Sequence, residues 1–186
     1  MASEPTISVI IPAWNRKHLI GETLQSICRQ TRVPDEIIVI DDGSTDGTAA
    51  AARAACPTAK ILSQENRGLP FTRNRGIATA TGDLICFLDS DDLWLPTKTE
   101  RQLQTLREDC ELEMVFCHTQ QFHDDDAARA GAPQPGFCAG TMMARRSAVD
   151  RVGPFDADIE VGEFIEWFSR AKARGVRYAC LPDCLH

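Results

Sequence analysis

Apolar residues in this chain alternate between two rhythms. "TISVIIP" at 6–12 is a run rich in β-branched residues stopped by a proline, the pattern of a buried strand. From Arg16 to Thr31 the period lengthens: Leu19, Ile20, Thr23, Leu24, Ile27 and Cys28 fall on one helical stripe, so this segment predicts an amphipathic helix. "EIIVIDD" at 36–42 predicts a second buried strand. After a turn at Gly43 and Ser44 comes the alanine-rich helix of "TDGTAAAARAAC", ended by Cys56-Pro57. "AKILS" at 59–63 predicts a third strand, 69–82 a helix closed by Gly82, and 84–88 a fourth strand that is apolar on both faces. The order β-α-β-α-β-α-β with short connections predicts an α/β fold, a Rossmann-like and mainly parallel sheet with helices on both faces.

The second half of the chain is more polar. It predicts a charged amphipathic helix at 97–109, a strand at 112–122, and an exposed loop at 123–136 with Asp124, Asp125 and Asp126 at a solvated tip. A strand at 137–145, a short helix, a helix at 160–175 with a glycine cap, and a last strand at 176–182 complete it. No internal repeat or linker interrupts the 186 residues, which are expected to form one domain.

Charge and cysteine usage narrow the function classes. The net charge is −7 and no basic run could track phosphates along a nucleic acid, so nucleic acid is not the expected partner. A small anionic substrate is compatible with this charge if a cation neutralises the local field. No stretch approaches the ~18 apolar residues of a transmembrane helix, and "MASEPTISVII" lacks the basic start and apolar core of a secretory signal. Eight cysteines without a CxxC pair, two of them (Cys28 and Cys86) inside apolar periodic segments, predict free thiols in a cytoplasmic protein. Cys117, His118 and His123 do not have the spacing of zinc ligands, so no zinc site is expected.

Candidate chemistry gathers at the ends of strands. In open α/β sheets ligands bind outside the carboxyl ends, and here those ends read "PAWN", "DDGSTD" and "DSDD". In "DLICFLDSDDLWLP" a core strand runs straight into Asp89, Asp91 and Asp92, which repel one another unless something positive sits among them. An oxygen-only cluster suits a hard cation, Mn²⁺ or Mg²⁺, held together with substrate phosphates. The acids of "DDGS" have two readings: satisfying backbone amides of their own turn, or accepting a hydrogen bond from a nucleobase or ribose. There is no G-x-G-x-x-G after the first strand and no G-x-x-x-x-G-K-[ST], which argues against dinucleotide-binding Rossmann enzymes and P-loop NTPases.

Taken in order, "SVIIPAWNR", "IIVIDDGSTDGT" and "NRGLPFTRNRGIATATGDLICFLDSDD" resemble the N-terminal half of a family 2 glycosyltransferase of the GT-A fold. The resemblance implies a nucleotide-binding half at 6–92 and an acceptor-side half at 93–186. It implies metal-dependent transfer of a sugar, with inversion, from a nucleotide-diphosphate donor to an acceptor hydroxyl. A UDP-sugar is the favoured donor, with GDP and dTDP open; the acceptor class (glycan, lipid-linked sugar or peptide) stays open too. Residue by residue it implies that Pro12, Ala13 and Trp14 line the base pocket, with Trp14 standing where the family usually has Tyr. Asp42 would bond the base, Arg73 would lie near base and phosphates, Asp89 would hold the ribose and Asp91 the metal. "GFCAGTMMARR" resembles the floor under donor sugar and acceptor, with Gly140 allowing close backbone approach.

The general base is expected in "VGEFIEWFSRAKARG", where the family commonly has Glu-Asp and then another acid two residues on. Here Glu163 is present, Phe164 replaces the Asp, and Glu166 follows. Glu163 is the favoured base and Glu166 the alternative. Family members generally continue beyond the position of His186 and carry a histidine there that helps hold metal or diphosphate; whether His186 serves so is left open. Two other classes stand beside this reading: a degenerate nucleotide-sugar-binding protein without turnover, and a sugar nucleotidyltransferase. The latter usually needs a glycine-rich basic loop after the first strand, which "PAWNRKHL" lacks.

Overall fold

The computed structural model describes residues 4–122, 131–159 and 161–186. The expectations for His123, for Asp124 to Asp126 and for the first residue of the 160–175 helix therefore lie outside the described residues. Among the described residues eight strands form one sheet: β1 (Ile7–Ala13), β2 (Glu36–Asp41), β3 (Lys60–Ser63), β4 (Leu84–Phe87), β5 (Met114–Thr119), β6 (Gln134–Gly136), β7 (Met143–Arg145) and β8 (Tyr178–Cys184). The order is β3-β2-β1-β4-β7-β5-β6, with β8 on the other edge of β5. β3, β2, β1 and β4 are mutually parallel, β7 runs antiparallel to both β4 and β5, and β8 is parallel to β5. The predicted mainly parallel α/β architecture is what the chain adopts.

Strand alternation assigns the two faces. Ile7, Val9 and Ile11 of β1, with Leu84 and Cys86 of β4, pack against α1 (Ile20–Cys28), α2 (Thr48–Ala55) and α4 (Lys98–Glu108). Ile10, Ile85 and Phe87 point the other way, toward α3 (Leu69–Thr79), α5 (Arg146–Val152) and α6 (Glu163–Ala173). On α3, Gly76 lets the helix backbone rest on β1, since a Cβ there would run into the Ile10 side chain.

The loop expected over 123–136 ends in a strand, β6, whose Gln134–Gly136 pairs with Cys117–Thr119 of β5. Three further boundaries shift because side chains claim the backbone. The first helix starts at Ile20 rather than Arg16, because the Arg16 amide donates to Thr48 Oγ1 (2.8 Å) and the Lys17 amide to Asp46 (3.0 Å). The third helix ends at Thr79, since the Thr81 amide goes to Glu36 (2.9 Å) and the Gly82 amide to Ser8 (2.8 Å). The strand expected over 137–145 is broken by a 3-10 turn at Ala139–Thr141, where the Thr141 hydroxyl lies 2.5 Å from the Gly136 carbonyl and 2.9 Å from that of Cys138. β6 and β7 consequently lie in tandem along one edge of β5.

Chain reversal between β3 and β4 places β2 and β4 on opposite sides of β1, so the topological switch point lies between β1 and β4. The ends of those strands carry Trp14 and Asp89.

Candidate active site

A cavity of about 840 Å³ opens at that switch point. Of the residues the sequence singled out, Pro12, Ala13, Trp14, Asp42, Asp89 and Asp91 all line it. Trp14 is 54% exposed, so its ring is available to an incoming planar group. The loop that carries it is fixed from behind: Asn15 adopts a left-handed conformation (φ 52), its amide donates to Ser44 Oγ (2.9 Å), and its side-chain oxygen accepts the Thr45 amide (3.0 Å).

Asp42 is buried and heavily engaged. One oxygen accepts the Arg67 amide (2.9 Å) and the Gln64 side chain (2.6 Å); the other accepts the Gly68 amide (2.9 Å). Asp41 similarly takes the Ser44 amide (3.2 Å) and the Ser63 hydroxyl (3.1 Å). Both acids thus satisfy backbone amides of the turns beside them. Asp42 shapes the cavity by pinning residues 66–68 against β2, and Gly43 (φ 76) permits this close approach, since a Cβ there would lie 2.8 Å from the Asn66 amide nitrogen.

Each acid of "DSDD" meets a different basic side chain. Arg73 Nη2 lies 2.9 Å from Asp89 Oδ1, Arg16 Nε lies 3.2 Å from Asp91 Oδ2, and His186 Nε2 lies 3.2 Å from Asp92 Oδ2 without the alignment of a hydrogen bond. The Arg16–Asp91 pair is about two-fifths exposed on both sides, so water screens it and it gives way readily to a stronger partner. Arg73 is different. Its guanidinium is buried against the Phe87 and Phe155 rings, at 5.9 and 5.7 Å from their centroids, and its Nη1 pairs with Glu163. It therefore stands behind the cavity wall, bracing Asp89 from α3, and does not line the cavity itself.

The two candidate bases part company. Glu163, at the first turn of α6, is 7% exposed and reaches the site only through Arg73. Glu166 turns away to Arg170, whose Nε and Nη2 sit 2.6 and 2.9 Å from its two oxygens and whose Nη1 and Nη2 also hold the Val152 and Pro154 carbonyls. Neither glutamate lines the cavity. Phe164 is buried in an aromatic cluster with Phe116, Phe155 and Phe168, and Trp167 and Phe168 are core residues as expected.

A second cavity of about 650 Å³ shares Asp91 with the first and is lined also by Asp92, Thr119, Gln120 and His186. The His186 ring rests on Gly140, where a Cβ would collide with it, and its Nδ1 lies 2.9 Å from Thr119 Oγ1. Gly140 in turn is held by Trp94, whose indole N–H donates to its carbonyl (2.9 Å). The sequence reading passed over Arg16, Arg67 and Thr119. Arg16 and Arg67 sit inside or beside the quoted motifs, so their spacing was the available signal; Thr119 carried none.

Among the described residues no group of three or more His, Cys, Asp or Glu is arranged to hold a metal ion by itself. Asp91 is an oxygen donor, half-exposed and open to both cavities, which fits a hard cation shared with a phosphate ligand and does not fit an all-protein cage.

Known proteins resemble this chain in fold and in sequence. A solved structure of S. aureus TarS residues 1–349 in complex with UDP superposes with a TM-score of 0.82 at 22% identity, covering 97% of this chain and 59% of that one. The mannosyltransferase PcManGT of Pyrobaculum calidifontis, in complex with GDP-Man and Mn²⁺, gives 0.76 at 25% identity, covering 98% and 56%. An uncharacterized glycosyltransferase of Haemophilus influenzae is 32% identical over 110 residues, which are 59% of this chain. The match takes in only 37% of that relative's length. The model of the family described as "Glycosyl transferase family 2" matches residues 8–133, from the start of β1 to just before β6 and so across every acid and arginine of the cavity; the chain belongs to that family.

Proposed function

We propose that the chain catalyses metal-dependent, inverting transfer of a sugar from a nucleotide-diphosphate donor, UDP favoured, to an acceptor hydroxyl. The observation that carries this reading is the single cavity in which an exposed Trp14, the strand-end acids Asp89 and Asp91, and the cations Arg16 and Arg67 meet. In it Trp14 stacks on the base above Pro12 and Ala13, and Asp42 holds the 66–68 loop beside the base. Asp89, braced by Arg73, accepts the ribose hydroxyls. Asp91, whose pair with Arg16 is half-exposed and weak, would hold Mn²⁺ or Mg²⁺ shared with the diphosphate. A bound cation there supplies Lewis-acid stabilisation of the charge that builds on the departing diphosphate. Arg16, released from Asp91, and Arg67 add positive charge on the same wall.

Transfer forms one bond and breaks one: the acceptor oxygen attacks the anomeric carbon from the face opposite the diphosphate, whose C–O bond breaks with its electron pair. The hydroxyl proton passes to a carboxylate, for which we assign Glu163. Glu163 pairs with Arg73 and lines neither cavity, so this role requires it to leave Arg73 when the acceptor is bound. The acceptor approaches by the second cavity, which adjoins Asp91. That TarS has been solved with UDP and PcManGT with GDP-Man and Mn²⁺ supports the donor class. Among the described residues no helix is long and apolar enough to cross a membrane, and the free thiols support a cytoplasmic setting.

One observation favours a second reading, binding without transfer: Phe164 is in the core, and neither glutamate lines the cavity. Turnover decides between them. Release of UDP from UDP-sugars with Mn²⁺, which falls by about 10²–10⁴-fold in Glu163→Gln and stays near parental in Glu166→Gln, supports catalysis by Glu163. Donor binding by the parent with no turnover on any acceptor, glycan, lipid-linked or peptide, supports the second reading.

A further inference from the structure

Cys28 and Cys56 are the two thiols of this fold that touch each other. Cys28 is the last residue of α1 and Cys56 follows the last residue of α2, and their sulfurs lie 3.6 Å apart. Cys28 is exposed, whereas Cys56 is 2% exposed and lies beneath it. We propose that this pair is a modification site, an intramolecular disulfide formed by exchange with a low-molecular-weight disulfide such as oxidised glutathione.

The exchange balances in two steps. The Cys28 thiolate attacks one sulfur of the small disulfide, giving a mixed disulfide and one small thiolate. The Cys56 thiolate then attacks the Cys28 sulfur, closing Cys28–Cys56 and releasing the second small thiolate. Two protein thiols are oxidised, one small disulfide is reduced, and the two thiol protons end on the two released thiolates. Exposure makes Cys28 the attacking thiol and burial makes Cys56 the resolving one. The sulfurs already lie 3.6 Å apart, so closure shortens an existing contact to a bond of about 2 Å.

Although Cys28 is exposed at the surface, partial desolvation of its sulfur against the fold, with the Cys56 hydrogen bond and charge added, pushes the thiol up to about 11, so the first step is slow at neutral pH. The bond has a structural meaning. At their opposite ends the α1 and α2 entries are already laced by Arg16–Thr48, Lys17–Asp46 and Asn15–Ser44 hydrogen bonds beside Trp14. A disulfide would lace the far ends and make the helix pair flanking the cavity one rigid unit.

The test is to incubate the whole chain at pH 8.5 with oxidised glutathione and map it by non-reducing tryptic mass spectrometry. The expected product is a cross-link of the peptides 18–29 and 54–60, lost on reduction. The melting temperature should rise by about 5–15 °C, as a closed loop of this length implies. Cys28→Ser, at an exposed position, should show neither change with the same oxidant. The proposal is overturned if Cys28 and Cys56 remain alkylatable while other thiols oxidise, or if Cys28 keeps a glutathione adduct that Cys56 does not resolve.

Discussion

Arg73 offers the sharpest quantitative handle on this site. Its guanidinium is 3% exposed and its partner Glu163 side chain 9%, while Asp89 on the other side is 39% exposed. Removing the cation alone, in Arg73→Met, leaves Glu163 buried with no counter-charge. Such an orphaned buried charge costs about 3–5 kcal/mol, whereas the half-exposed Asp89 pair adds little. For a domain of this size that corresponds to a fall in melting temperature of roughly 6–20 °C. Replacing both partners, in Arg73→Met with Glu163→Leu, removes the orphan and should recover most of the loss, because burying an ion pair barely outweighs the desolvation of its members. Urea unfolding of parent, both single variants and the double gives the cycle. If Arg73→Met loses less than about 1 kcal/mol, or if the double is as unstable as the two singles summed, the bracing role of Arg73 is refuted.

Other expectations follow from individual contacts. Asp42→Ala leaves the Arg67 and Gly68 amides without their acceptor and should cost about 2–4 kcal/mol in denaturant unfolding, together with weaker UDP binding as the 66–68 loop loosens. Gly76→Ala drives a methyl into Ile10 and should cost at least about 1–3 kcal/mol with no change in the cavity residues themselves, read by melting temperature against nucleotide affinity. Asp83 is held below the ordinary carboxylate range by the Thr6 amide and then the Thr6 hydroxyl. Because its folded pKa is depressed, its stabilisation is complete above about pH 4 and is lost as pH falls through the folded value, so Asp83→Asn should flatten the acid-side decline of melting temperature below pH 4.

How much of this was legible in the sequence depended on range. Strand and helix identity followed from local periodicity, the strand-end rule gathered "PAWN", "DDGSTD" and "DSDD" on one rim of the sheet, and the family resemblance singled out Trp14, Asp42, Asp89 and Asp91 within them. What local pattern could not supply was pairing between distant residues. Arg73 and Asp89 are 16 positions apart and Arg73 and Glu163 are 90, so no window contains both partners. The boundaries that slipped did so for the same reason: the residues 16–19 turn is set by Thr48 and Asp46, and the 79–82 end by Ser8 and Glu36. Glu163 and Glu166 are equivalent on a helical wheel, and only the distant Arg73 and the neighbouring Arg170 tell them apart.

The most direct test of the central claim is calorimetric titration of UDP into the parent and Asp91→Asn proteins, each with and without Mn²⁺. The account predicts binding to the parent that strengthens by at least about tenfold with Mn²⁺ and a loss of that metal increment in Asp91→Asn, whose fold is otherwise unchanged. UDP binding that is indifferent to Mn²⁺ in both proteins would contradict the metal role of Asp91. Failure of UDP, GDP and dTDP alike to bind with the metal present would contradict the donor site itself.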